Sequence, residues 1–220
     1  MIKFHPNDQL IEQFVAGELA PALSVVVGTH VDMCQHCQKQ VQDAEAMLAE
    51  RLLKSPVKGS APVLDQMLEQ IFSSTAPTQL RVAANDDILT LEGKRFKLPP
   101  TLARQKSKIG HWSWVPGKMM RAPVDLGTDE CINLIYMDQG SRVPEHTHRG
   151  QETTLVVNGV FNDEQNEYKD GDFIMLSGEH HHSPQTQDED CLTLATLDAP
   201  LQFTSGISRL LNPFSSLFFR

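Results

Sequence analysis

The spacing of apolar residues changes along the chain, from a helical period in the first third to strand-like alternation afterwards. In the first third, apolar residues recur three and four positions apart, which is typical of amphipathic helices. Asn7 or Asp8 can cap the first helix, and Pro21 can open the second. A third helix is predicted from about residue 33 to 53. A fourth is predicted over 61–72, with four apolar positions spaced for burial: Leu64, Met67, Leu68 and Ile71.

From about residue 80 the chain consists of short apolar runs bounded by Gly, Pro, Asn and Asp. Examples are the runs at 88–91, 131–137 and 191–197. Many short strands at nearly regular spacing predict a β-sandwich or barrel. The predicted fold class is therefore α + β with two domains, a small helical bundle over residues 1–80 and an all-β domain over 81–220. A linker or turn is predicted at 54–62, before the fourth helix.

Composition narrows the range of partners and compartments. Hydrophobic residues make up 40% of the 220 positions, so a packed core can form. The net charge of −9 and the pI near 5.4 argue against nucleic acid as a direct partner, because phosphate binding needs a basic surface. An acidic surface suits a basic protein partner instead. The N-terminus has no apolar core of a signal peptide and no run approaches ~20 apolar residues, so no membrane association and a cytoplasmic location are expected.

Two of the four cysteines form a C-x2-C pair that follows a histidine, in His30-x3-Cys34-x2-Cys37. Thiolates beside an imidazole at this spacing predict a structural zinc site. Because residues three and four apart share a helix face, the three ligands are predicted to form one stripe at a helix start. One stripe cannot complete a tetrahedron, and His5, just before the first helix, is the predicted fourth ligand. A redox pair is the alternative for the cysteines, although no thioredoxin-like pattern surrounds them.

A second set of metal ligands lies in the C-terminal half, in His146-x-His148-x3-Glu152. Alternate residues of a strand point to the same side, so the two histidines are predicted to face a barrel interior. Gly150 can turn the chain so that the carboxylate joins them.

A fourth ligand of this second set is expected from the histidine run at 180–182. His182 is preferred, and His180 is the alternative because the two share one side of a strand. Three imidazoles and one carboxylate suit zinc, but iron, manganese and nickel are also acceptable.

The two motifs resemble two known families. H-x3-C-x2-C in a helical segment is the signature of zinc-binding anti-sigma domains. The stretch from Gly140 to Gly159 resembles the first cupin motif, G-x5-H-x-H-x3-E-x6-G, and the end of the second cupin motif, H-x-P, matches His182-Ser183-Pro184. The proline that usually precedes the glycine of that second motif is missing here. A chain that carries both domains resembles the ChrR family of anti-sigma factors, and the likeness spans nearly the whole sequence.

The resemblance implies a helical zinc-binding domain that sequesters an extracytoplasmic-function sigma factor. It also implies a cupin domain, a double-stranded β-helix or jelly roll, that is needed for release by singlet oxygen or related oxidants. Both domains are expected to bind zinc, and no catalytic residues are expected. The ligands implied are His5, His30, Cys34 and Cys37 in the helical domain, and His146, His148, Glu152 and His182 in the cupin.

Several alternatives stay open at this point. A cupin enzyme of the dioxygenase or hydrolase type with a helical regulatory domain is the second hypothesis, and a plain metal-binding interaction module is the third. Where the family's prototype has C-x-C, this chain has Cys191 followed by leucine and threonine, so a role that needs two cysteines there is not expected. Cys131 is either a spatial substitute for the second cysteine or an inert buried thiol. The apolar segment at 207–220 either packs on the barrel or docks a partner or a second copy of the chain.

Overall fold

The structure is a computed structural model that describes residues 1–54, 61–74, 87–148, 150–178, 180–199, 201–204 and 212, with the side chains at 61–63, 148 and 201 outside that description. Helices occupy the first part of the chain and β-strands most of the remainder. The helices α1 to α5 are Asp8–Ala16, Pro21–Met33, Gln35–Leu53, Ala61–Ser73 and Pro100–Ala103. The strands β1 to β11 are Ile88–Leu91, Lys94–Lys97, Ser113–Val115, Met119–Pro123, Cys131–Met137, His146–His148, Glu152–Asn162, Glu167–Lys169, Phe173–Leu176, Cys191–Leu197 and Leu201–Phe203.

Local capping explains where the first helices begin and end. The Asn7 side chain accepts a hydrogen bond of 2.9 Å from the Leu10 amide at the start of α1, and Gly17 ends that helix in the left-handed conformation. Pro21 occupies the first position of α2. The predicted starts of these two helices are confirmed.

The predicted stripe of ligands on a single helix is wrong. Cys34 has extended backbone angles, φ −116° and ψ 106°, and therefore separates α2 from α3. It caps α3, because its sulfur accepts from the Cys37 amide. His30 thus lies in the last turn of one helix and Cys37 in the first turn of the next, so the three residues surround a corner between helices.

The fourth helix forms where it is predicted, but its apolar face is not buried. Leu64, Met67, Leu68 and Ile71 are between 48% and 62% exposed, and Phe72 is 83% exposed. The helical period is therefore right and its interpretation as a buried face is wrong: these side chains form an exposed apolar surface, the α4 face, defined by those five residues.

A seven-stranded antiparallel sheet forms the centre of the β-rich part. Its order is β3-β4-β5-β10-β7-β8, and β9 also pairs with β7, while β6 pairs with β11 and β1 with β2. Along β10 the side chains alternate between two cores. Leu192 and Leu194 belong to the core that also holds the helices, whereas Cys191 belongs to the core inside the barrel.

The helices and the sheet share a continuous hydrophobic core. α2 packs against β7, β10 and α5, and Val26 and Val27 belong to the same buried cluster as Leu192 and Leu194. The predicted domain boundary after residue 80 lies in 75–86, outside the described residues.

Within the part of the chain that the structure describes, no single helix combines the length and apolar character of a membrane span. The α1 and α2 pair, bent by 111°, meets that test by length and composition only when the two helices are taken together.

Candidate metal centres

Four residues of the N-terminal part bring one ligand atom each to within 4.8 Å of the others. These residues, called the helical cluster below, are His5, His30, Cys34 and Cys37. His30 Nε2 lies 3.2 Å from Cys37 Sγ, and His5 Nδ1 lies 3.4 Å from Cys34 Sγ and 3.5 Å from Cys37 Sγ. The structure therefore assembles all four residues that the sequence predicts for this site.

The corner between α2 and α3 makes this convergence possible, because it lets the three residues face inward together from two helix ends. His5 reaches the same point from the segment before Pro6 and α1. His36, between the two cysteines, is exposed and contacts the cluster through its ring, with its centroid 5.1 Å from that of His5.

The orientation of His30 is fixed by the barrel. Its Nδ1 donates a hydrogen bond of 2.7 Å to the Gly171 carbonyl, which leaves Nε2 directed at the thiols. Burial lowers the pKa of His30 to about 4, so the ring is neutral near neutral pH. A neutral imidazole with its second nitrogen held by a carbonyl is the form that ligates a metal.

The two thiols of the cluster can both ionise only if a cation lies between them. Burial, together with the neighbouring Cys34, raises the pKa of the Cys37 thiol. Two buried thiolates side by side would repel each other unless a positive charge lay between them. Two sulfurs and two imidazole nitrogens form the donor set of a closed tetrahedral zinc site, so the residues present fit such an ion.

A second group of ligand atoms lies inside the barrel. His146, Glu152 and His182, called the barrel cluster below, also bring one ligand atom each to within 4.8 Å of one another. His182 Nε2 lies 3.0 Å from His146 Nε2 and 3.8 Å from Glu152 Oε2. His148 lies on β6 with His146, but its side chain is outside the described residues.

Pairing of backbone segments places these three side chains. His146 begins β6, Glu152 begins β7, and His182 lies in the segment after β9, where it exchanges two backbone hydrogen bonds of 3.2 Å with His146. His146 Nδ1 donates to the Pro144 carbonyl over 2.9 Å, which leaves its Nε2 lone pair directed at the cluster. His180 is exposed, with its Nδ1 3.5 Å from Ser177 Oγ, so the structure brings His182 rather than His180 to this site.

The barrel cluster lies beside a small apolar cavity of about 60 Å³. Ile135, Met137 and Leu176 are among the side chains that line it. Asp163 also lines it, and its Oδ2 lies 3.9 Å from His182 Nδ1. The sequence reasoning missed Asp163, because no motif spacing connects it to the histidines.

The two late cysteines are far apart. In the register of β5 and β10, Cys191 is opposite Met137, whereas Cys131 is opposite Leu197 at the other end of the strands. Six residues of strand span about 20 Å, so Cys131 cannot stand in for a second cysteine beside Cys191. Cys191 is fully buried inside the barrel, and burial raises the pKa of its thiol.

Comparison with known proteins agrees with this architecture. Residues 106–201 match the family model described as the ChrR cupin-like domain. The chain is 28% identical to the anti-sigma-E factor ChrR of Cereibacter sphaeroides, over 97% of this chain and 98% of that protein. It also resembles the crystal structure of Rhodobacter sphaeroides SigE in complex with the anti-sigma ChrR, with a TM-score of 0.70 and 27% identity over 90% of this chain and 100% of that chain. The resemblance to the ChrR family predicted from the motifs is confirmed, as is the order of helices followed by a cupin-like sheet.

Proposed function

Because this chain resembles ChrR-family proteins over nearly its whole length, we propose that it is a zinc-dependent anti-sigma factor. It sequesters an extracytoplasmic-function sigma factor in the cytoplasm and releases it under oxidant stress of the singlet-oxygen type. The observation that carries the proposal is the presence of two separate ligand sets in one chain. One set joins the ends of two helices, and the other lies in a cupin-like barrel beneath them.

The helical part, residues 1–80, is the part that contacts the sigma factor. The α4 face presents five apolar side chains to solvent, more than a helix of an isolated domain is expected to expose together. The net charge of −9 suits a basic partner and disfavours direct contact with nucleic acid.

The helical cluster holds zinc, and the barrel cluster holds zinc or another divalent ion. Thiolate and imidazole donors favour zinc in the first site. In the second, His148 completes the donor set as the fourth ligand with the three residues of the barrel cluster. Histidine and carboxylate donors are less selective among divalent ions.

The size of the cavity disfavours the alternative of a cupin enzyme. As bounded by the described residues, it measures about 60 Å³, whereas pockets for metabolite-sized ligands occupy roughly 300–1,000 Å³. Polar and apolar side chains line it in equal number, but the surface that they expose to the cavity is mostly apolar. The polar groups are engaged in the barrel cluster or in hydrogen bonds such as that from Tyr168 to Asp163, which leaves few of them to bind a substrate. A sensing site, which has to admit only a small oxidant, is compatible with this volume.

Ligand variants of the two clusters test the proposal. We expect Cys34→Ser and Cys37→Ser to abolish sigma binding, because a structural zinc site contributes folding free energy on the order of 10 kcal/mol. We expect His146→Ala and Glu152→Ala to retain binding but to lose oxidant-induced release, because the barrel has a core of its own. Binding assays and a sigma-dependent reporter, with and without singlet oxygen, measure both effects.

His36→Ala is the matched control for the cysteine variants, since His36 lies between them and is exposed. If the His146 and Glu152 variants release the sigma factor as the parent does, the barrel cluster is not the sensor. If the cysteine variants bind the sigma factor normally, the helical cluster does not support the binding surface.

A further inference from the structure

A continuous line of contacts joins the helical cluster to the barrel cluster. It begins at Phe4, which precedes His5 of the helical cluster. The Phe4 ring centroid lies 5.1 Å from that of Tyr168. The Tyr168 hydroxyl donates to Asp163 Oδ2 over 3.2 Å. The same carboxylate oxygen lies 3.9 Å from His182 Nδ1, and His182 Nε2 faces His146 at 3.0 Å.

The first member of this line is firmly attached to the barrel. The buried Asp172 carboxylate accepts hydrogen bonds from the backbone amides of Lys3 and Phe4, at 2.7 and 3.0 Å. The Phe173 amide donates to the Phe4 carbonyl over 3.0 Å. His5 directly follows this attached segment, so the position of the Phe4 backbone determines where the His5 ring enters the helical cluster.

The middle of the line is a fixed donor and acceptor pair. Burial and the charge of Asp163 raise the pKa of Tyr168 to about 12, so its hydroxyl remains a donor. Asp163 is held from its other side, because Oδ1 accepts from the amides of Gln165 and Asn166 at 2.8 Å each. Its Oδ2 faces His182 Nδ1 at 3.9 Å, which is longer than a hydrogen bond, but the negative charge still favours the ring orientation that turns Nδ1 toward it.

We propose that Asp163 and Tyr168 are positioning residues that transmit the state of the barrel cluster to the helical cluster. Asp163 sets the orientation of His182, Tyr168 holds Asp163, and the ring contact with Phe4 carries any rearrangement to His5. This rests on the proposed function, to which it supplies a physical route between sensing and release. Such a route exists only if both sites bias the same conformational equilibrium, which a mutant cycle measures directly.

The test is a double-mutant cycle on the full-length protein as purified, without sigma factor. Its members are the parent, His146→Ala, Tyr168→Phe and the double variant. The readout is the rate at which Cys34 and Cys37 react with a thiol-alkylating reagent, followed by peptide mass spectrometry. Tyr168→Phe keeps the ring against Phe4 and removes only the hydroxyl, with its hydrogen bonds to the Asp163 carboxylate and to the Asn166 side chain.

In the parent background, we expect His146→Ala to speed alkylation about five-fold or more, the low end of typical coupling between sites. In the Tyr168→Phe background, the same substitution changes the rate less than about two-fold. Equal effects in the two backgrounds overturn the proposal. So does an alkylation rate that does not respond to His146→Ala in the parent.

Tyr136→Phe is the matched control. Tyr136 is also a buried tyrosine of the sheet, but it lies in the core shared with the helices. Its ring centroid lies 6.0 Å from that of Phe96, and its hydroxyl lies 3.4 Å from Asp138 Oδ1. If the coupling runs specifically through Tyr168, His146→Ala speeds alkylation in the Tyr136→Phe background as much as it does in the parent. Loss of coupling with Tyr136→Phe as well means a general loosening of the barrel and overturns the proposal.

A second variant and a second assay separate the possible failures. Phe4→Leu breaks the line at its other end while keeping an apolar side chain, and it too reduces the coupling if the line is real. Should Tyr168→Phe melt well below the parent, the Phe4→Leu cycle decides the outcome alone. Sigma binding is measured on the same samples: a parent that binds no sigma factor contradicts the proposed function and leaves the coupling result standing.

Discussion

One histidine of each cluster is oriented by a hydrogen bond to a backbone carbonyl. His30 Nδ1 donates to Gly171, and His146 Nδ1 donates to Pro144, so in both rings Nε2 faces the other ligands. A carbonyl accepts but never donates, so each hydrogen bond also fixes the tautomer. These contacts prepare the donor atoms before an ion arrives, which lowers the reorganisation that binding requires.

The choice between His182 and His180 can be tested by metal content. We expect His182→Ala to lower the metal content of the purified protein from about two ions per chain to about one, because a donor of the barrel cluster is lost. His180→Ala is the control, since His180 is exposed and lies outside the cluster. Elemental analysis measures both. A protein that loses its second ion with His180→Ala and keeps it with His182→Ala contradicts the assignment.

Motif spacing predicts ligands well when they are close in sequence, and poorly when the partner is distant. His30, Cys34 and Cys37 follow from their spacing, even though they surround a corner between helices. Asp163 has no such signal, because its proximity to His182 arises only when the segment after β9 folds back on the end of β7. Register between distant strands is a tertiary property that periodicity along one segment does not encode.

At the scale of secondary-structure elements, the spacing of apolar residues predicts where a helix or strand forms but not which surface packs against its apolar side. α4 has the period of an amphipathic helix, yet its apolar side is exposed. The same pattern marks a face that packs within the chain and a face that binds a partner. In this helix the apolar side is exposed, as a partner-binding face has to be before the partner arrives.

A charge on the α4 face tests its role in binding. We expect Leu68→Glu to weaken sigma binding at least about ten-fold, because burying an unpaired charge at the centre of an apolar interface is costly. Stability changes by only about 0.5 kcal/mol, as is usual for exposed positions. Gln66→Glu, on the opposite side of the helix, adds the same charge as a control. Equal binding by both variants, measured by titration calorimetry, excludes the α4 face from the interface.

The first and last residues of the cupin-like motif, Gly140 and Gly159, are both glycines but have different roles. Both have positive φ, +70° at Gly140 and +90° at Gly159, but a Cβ at Gly140 meets no atom within 4 Å. A Cβ at Gly159 collides with the Asp190 carbonyl, where β7 passes close to the chain entering β10.

Alanine substitutions separate these two effects. We expect Gly140→Ala to cost about 1–2 kcal/mol, the usual strain of a left-handed residue. Gly159→Ala adds a backbone collision, for which overpacking costs of about 1–3 kcal/mol more are typical. At about 2–4 °C per kcal/mol, the melting temperature falls clearly further for Gly159→Ala. Equal melting temperatures for the two variants contradict the collision.

Over the whole molecule, the helical part and the barrel are packed together through one core and through the N-terminal segment. α2 contributes Val26 and Val27 to the cluster that contains Leu192 and Leu194, and residues 3 and 4 are held by Asp172. The sequence predicts the two kinds of structure correctly because their periods differ. It does not predict this shared core, because the apolar residues of a helix that packs on the barrel have the same spacing as those of a helix that packs on other helices.

The shared core determines how much stability the helical part loses when the barrel is removed by truncation. In a fragment of residues 1–80, Val26 and Val27 lose their packing partners in the sheet, which costs about 1.5–3 kcal/mol of folding free energy for each fully buried side chain. The fragment also lacks the Gly171 carbonyl that holds His30. Zinc binding contributes on the order of 10 kcal/mol, which exceeds this loss. We therefore expect the fragment with zinc to bind the sigma factor, to melt at a lower temperature than the full chain, and to unfold when zinc is chelated.

Residues 81–220 alone are expected not to bind, and the fragment carrying Cys37→Ser is the matched control, since it cannot hold zinc. Pull-down with the sigma factor and circular dichroism, each with and without a chelator, measure the outcome. If binding requires residues 100–200, the sigma-binding surface includes the barrel, and the helical part is not an independent module. If the chelated fragment stays folded and bound, zinc is not what compensates for the missing barrel, and the balance of free energies above is wrong.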